Sequence, residues 1–210
     1  MIQSFVIFIA FGVWDRAQFQ IPARSQILTL CATFFGQSRP MNKIFEISDD
    51  SGFMGLVNVD KYDSFVSEDW KFNDLRERFI REMNQGNMLF WSTGQEGLWK
   101  VRVTTKKEEI KSFRTISGDI NVTDEKLFLT NYEDLSMAAQ FQDQRLPLKH
   151  NTDLKLRIEN GNYEVQINQL FNPDNLSQDD RDKLHFEIVI EKLLDDKVIV
   201  NKFDKIPWEQ

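Results

Sequence analysis

The sequence predicts a mainly β protein of the α+β class, an antiparallel sheet or sandwich of about ten short strands with one amphipathic helix near residues 73–85. Three observations carry that expectation. Beyond residue 40, short runs alternate apolar and polar side chains, the period of a half-buried strand. Clusters of Gly, Asn, Asp and Ser interrupt these runs at close intervals, leaving connections too short for parallel crossovers. One segment alone repeats apolar residues at helical spacing over three turns.

Residues 1–40 stand apart, rich in Phe, Ile and Gln and without a sustained period. The uncharged run 2–14 is too short for a membrane helix, which needs about 17–25 residues. It also lacks the preceding positive charge and the cleavage site of a signal peptide. An over-extended reading frame, with translation starting at Met41 after Arg39-Pro40, is the favoured reading of this leader; 41–210 is then a single β-rich domain. The only cysteine, Cys31, forms no intramolecular disulfide, so nothing marks an oxidising compartment, and a cytoplasmic location is expected. Arg16, Arg24 and Arg39 against Asp15 give the leader a net charge of +2, so the −7 of the chain leaves −9 on residues 41–210. An acidic body argues against non-specific binding to nucleic acid or to an anionic membrane, both of which need a basic face. It is compatible with a basic protein partner.

From Met41 the elements follow in order. Residues 44–48 and 53–59 predict two strands joined through Asp49-Asp50-Ser51-Gly52 as an opening hairpin. Phe72, Leu75, Phe79, Ile80 and Met83 form the apolar stripe of the helix, with Asn73 or Ser67 as N-cap and Gly86 as terminator. Residues 87–103 predict a second hairpin about Gly94-Gln95-Glu96-Gly97, with Trp99 turned inward. A charged connector, 106–111, leads to short strands at 113–117, 120–123 and 127–130, with turns at Ser117-Gly118-Asp119 and Asp124-Glu125-Lys126. Residues 131–153 fit strand, helix or loop. Residues 177–181 suggest an acidic turn of helix; strands follow at 185–191 and 198–200 about Asp195-Asp196, with Phe186, Ile188 and Ile190 on one face and His185 at the rim.

The strongest local signal is LKLRIENGNYEVQINQLF, residues 154–171. Asn160-Gly161 is the pair that a two-residue type I′ turn prefers. The hairpin it implies sets Ile158 opposite Tyr163, Leu156 opposite Val165 and Leu154 opposite Ile167 on a core face. Lys155, Arg157, Glu164 and Gln166 then form one outward row.

GNMLFWSTGQEGLWKVRV and LSMAAQFQDQRLPLKHN, together with IENGNYEVQINQLFNP, resemble a family of small, acidic, β-rich bacterial proteins of unknown function. The resemblance spans roughly 41–174. It implies a soluble bacterial domain with no established activity, and it carries over no functional residue.

Chemistry is sparse. His150, His185 and Cys31 do not stand at the spacing of a metal site, and the paired glycines are not followed by the Lys-Ser or helix start of a phosphate loop, so neither metal nor cofactor is expected. Two readings of different class remain. In the first the protein is a non-catalytic binding protein, immunity-like or inhibitor-like, that covers a basic protein partner. In the second it is a hydrolase or small-ligand enzyme working through carboxylates, with Glu133, Asp134 and His150 beside the loop around Pro147. Where that loop meets the outward row, Glu133, Asp134, Arg145, His150, Arg157 and Glu164 are the candidate binding residues.

Overall fold

Among the described residues the alternating segments become nine strands: β1 (Asn42–Asp49), β2 (Phe53–Val57), β3 (Met88–Ser92), β4 (Gly97–Thr104), β5 (Arg114–Val122), β6 (Lys126–Asn131), β7 (Lys155–Arg157), β8 (Gly161–Gln169) and β9 (Phe186–Lys192). The same residues include two α-helices, α1 (Phe72–Asn84) and α2 (Tyr132–Gln140). The structure, a computed structural model, describes residues 41–177, 180, 182–194 and 199–209, within the compact unit Pro40–Gln210. The expectations for the leader with Cys31, for the Asp195-Asp196 turn and for most of the acidic turn at 177–181 fall outside these residues.

The strands build a five-stranded sheet, β1-β4-β9-β8-β5, and a four-stranded sheet, β3-β2-β6-β7. Phe45, Ile47, Trp99, Val101, Val165 and Ile188 of the first pack with Met54, Leu56, Leu89, Trp91, Leu127 and Leu156 of the second in one buried cluster, so the sheets are the two layers of a sandwich. The far side of the four-stranded sheet is covered too. Leu75, Phe79 and Met83 of α1 and Leu135, Ala138 and Ala139 of α2 pack on Val57, Met88, Phe90 and Phe128. Both faces of β3 are therefore covered, which buries all of its residues, Trp91 included, and explains why MLFWS does not alternate.

The mainly β class and the amphipathic helix stand as predicted. α1 begins after Lys71 rather than Ser67 or Asn73; Asp74 accepts a hydrogen bond from the Lys71 N–H at 3.3 Å. It ends in a Schellman motif at Gly86, whose φ is +73°: the Asn87 N–H donates to the Glu82 carbonyl and the Gly86 N–H to Met83. Phe72, assigned to the stripe, is exposed, its ring tilted against that of Tyr132. Residues 132–140 settle as helix, with the Asn131 side chain accepting from the Asp134 N–H at 2.9 Å. β5 runs unbroken through Gly118, where a turn was predicted.

The opening hairpin, the hairpin of 87–103 and the hairpin at Asn160-Gly161 are corrected. β1 pairs with β4, and β2 with β3 and β6. β7 pairs with β6, whereas β8 lies between β5 and β9. Each short connection passes from one sheet to the other, and so does the β5 to β6 link. The links are three or four residues long, about the extended length needed to cross the roughly 10 Å between packed sheets. Asn160-Gly161 is such a corner: Gly161 takes φ +145°, Asn160 does not have positive φ, and its side chain accepts from the Glu125 N–H at 2.7 Å. Face assignment survives because Leu154, Leu156, Tyr163, Val165 and Ile167 all point into the interlayer core. Partner assignment fails because alternation specifies a face and not a neighbour. β4 and β9 also pair in parallel, so the five-stranded sheet is mixed.

Candidate functional site

α2 brings Asp134 into contact with the 3₁₀ turn at Lys149–Asn151. Its carboxylate is buried and accepts from Asn151 Nδ2 at 2.8 Å, while His150 Nε2 lies 3.1 Å from the other oxygen without hydrogen-bonding geometry. The acid sits in the first turn of a helix, where the macrodipole favours it. Both Glu133 carboxylate oxygens are covered and have no hydrogen-bond partner among the described residues. Ser136 Oγ, the nearby hydroxyl, donates to the Glu133 carbonyl at 3.0 Å. With its hydroxyl engaged there, Ser136 makes no nucleophile–base contact with His150, and the Asp134–His150 contact ties the turn to the helix.

The other candidates do not join this pair. Arg145 is exposed and donates to the neighbouring Gln144 carbonyl. Arg157 and Glu164 belong to different sheets, so Lys155, Arg157, Glu164 and Gln166 form no common row. His185 is also corrected, from rim to interior. It is buried against Trp99 and Phe171, its Nδ1 accepts from the Lys100 N–H at 3.0 Å, and burial pushes its pKa below the ordinary 6.5, keeping it neutral.

The outer face of the five-stranded sheet carries the polar residues of its alternating strands, arranged in rungs by the register. One rung neutralises its buried acid. Thr115 donates to Asn168 at 2.9 Å, Asn168 Nδ2 to Glu187 at 3.3 Å, and Arg102 closes an ion pair with the same buried carboxylate. Four residues further along each strand, the register sets Asp119 opposite Glu164 and Glu164 opposite Glu191 across β5, β8 and β9. None of these three carboxylates has a cationic partner among the described residues, although Lys107 of the connector lines the small hollow above Glu164 and Glu191. Like charges directly opposite one another destabilise a sheet. The rung was invisible in the sequence because each acid occupies an ordinary polar position, and only the register brings them together.

Among the described residues no cluster of His, Cys, Asp and Glu could hold a metal ion, and no helix is long and apolar enough to cross a membrane. No protein-family model and no curated protein matches the chain. Two solved structures are similar to it. Crocagin biosynthetic gene J aligns at 13% identity over 73% of this chain and 97% of that one, with a TM-score of 0.49. ComJ from Bacillus subtilis, an inhibitor of the DNA degrading activity of NucA, aligns at 11% identity over 74% and 98%, with a TM-score of 0.45. Likenesses of this order carry nothing about partner or activity.

Proposed function

We propose that this protein is a non-catalytic binding protein whose partner is a basic protein, docked on the outer face of the five-stranded sheet at the β5-β8-β9 end. The observation that supports this reading is the unpartnered rung Asp119–Glu164–Glu191 on that face. A fold that keeps three adjacent like charges gives up stability in the free state, and a cationic partner recovers it on binding. Net charge of −9 beyond the leader adds a long-range field of the same sign, which speeds encounter with a basic surface and weakens with salt. The Asp134–His150 contact gives the hydrolase reading no comparable support, since the neighbouring Ser136 hydroxyl is engaged elsewhere.

The double variant Glu164→Gln/Glu191→Gln tests both halves of the proposal. Free protein is expected to gain about 0.2–1 kcal/mol for each relieved like-charge pair, read by urea denaturation. A partner retained on immobilised wild-type protein from host lysate is expected to elute early in a salt gradient and to be lost by the variant. Unchanged stability together with equal retention by the two proteins overturns the reading.

A further inference from the structure

At the opposite end of the five-stranded sheet its edge strand, β1, faces β7, the edge of the other sheet, across an open cleft of about 330 Å³. Cations gather there. Lys43 reaches from β1 over the Phe45 ring, 4.2 Å from its centroid, and donates to the Lys155 carbonyl at 2.9 Å. Lys155 and Arg157 line the cleft from β7, and Asp153 is the one carboxylate among the lining residues. None of the three cations has an ion-pair partner among the described residues, in a protein that is acidic throughout its body.

Backbone donors add to them. The Leu129 N–H donates to the Leu154 carbonyl and the Ile158 N–H to Glu125, so residues of even number face β6. Ladder alternation then leaves the N–H groups of Lys155 and Arg157 on the open edge of the sheet. Met41 and Leu156 supply an apolar wall.

We infer that this cleft binds a small phosphate monoester. Three cations against Asp153 leave a charge of +2, which matches the dianion that a phosphate monoester carries above its second pKa of about 6. A guanidinium beside ammonium groups and edge N–H donors suits the three terminal oxygens of that group. The volume far exceeds the roughly 30 Å³ share of one water. It leaves room for the organic part of the ester against Met41 and Leu156.

The test is an amide ¹H–¹⁵N titration of the full chain with ribose 5-phosphate, with inorganic phosphate, and with sodium chloride at matched ionic strength. Expected are saturable shifts confined to residues near 41–43 and 152–157, with the ester binding more tightly than the free ion. Arg157→Gln, an exposed position, is expected to weaken binding about tenfold while leaving the rest of the spectrum in place. Asp153→Asn is expected to tighten it. Shifts that follow chloride, saturation mapped elsewhere, or an unchanged affinity in Arg157→Gln overturn the assignment; inorganic phosphate binding as tightly as the ester overturns its monoester specificity.

Discussion

Asp49 has no solvent exposure, and four donors converge on its carboxylate: the Ser51 and Phe53 N–H groups at 3.1 and 3.0 Å, Thr93 Oγ1 at 3.0 Å and Trp99 Nε1 at 3.3 Å. One side chain thus holds the β1 to β2 corner against the β3 to β4 corner. Asp49→Ala strands those donors, each worth about 1–3 kcal/mol when buried, and a loss of about 2–4 kcal/mol is expected in urea denaturation. Burial raises the Asp49 pKa above 3.8, against the pull of its hydrogen bonds. The folded state therefore holds this proton more readily, so the term favours folding at low pH and is lost as pH rises through the raised value. His185 has the opposite sign. Its pKa is depressed below 6.5 by burial, so its contribution is complete above 6.5 and is lost as pH falls through the folded value. Unfolding free energy measured from about pH 7.5 downward is expected to fall below 6.5 in the wild type, and His185→Phe is expected to flatten that part of the curve. Neither role was legible in the sequence: Asp49 read as a turn residue and His185 as a rim residue, because burial of a polar group depends on what the other sheet places over it.

At the scale of elements, the corner at Asn160-Gly161 shows where local reading succeeds and stops. Glycine was needed, as predicted, but φ +145° lies in a region open to glycine rather than in a type I′ turn. Gly161→Ala is expected to cost about 1–3 kcal/mol by thermal or urea unfolding. Asn160→Ala is expected to cost about 1 kcal/mol, through loss of the acceptor for the Glu125 N–H, itself at φ +50°. The apolar positions of the strands, the α1 stripe and its Gly86 terminator were legible because they depend on neighbours within a few residues. Strand partners were not, since a three-residue link serves a hairpin and a sheet-to-sheet corner about equally well. The same limit hid the acidic rung and the basic cleft, and it joined Arg157 and Glu164 into a row that the two layers divide. Asp134 and His150, sixteen residues apart in sequence, did come together, where Asn151 ties the 3₁₀ turn to α2.

At the scale of the molecule, most strand neighbours are far apart in sequence: β1 with β4, β2 with β6, β4 with β9. A sandwich assembled from such pairings is expected to refold in milliseconds to seconds, slower than a helical domain of equal length, in stopped-flow measurements of tryptophan fluorescence. The parallel pairing of β4 with β9 has a further consequence for the protein as it is made. β9, the last strand among the described residues, lies between β4 and β8, so it is the central piece that joins β1-β4 to β8-β5. Until residues 186–192 have left the ribosome, both of those pairs present bare inner edges, Val101 to Thr104 on one and Tyr163 to Gln169 on the other. A nascent chain in that state is two unfinished ribbons open to any passing strand. A message truncated before the codon for Phe186 is therefore expected to yield aggregate, whereas one that runs through Lys192 supplies the strand that closes the sheet.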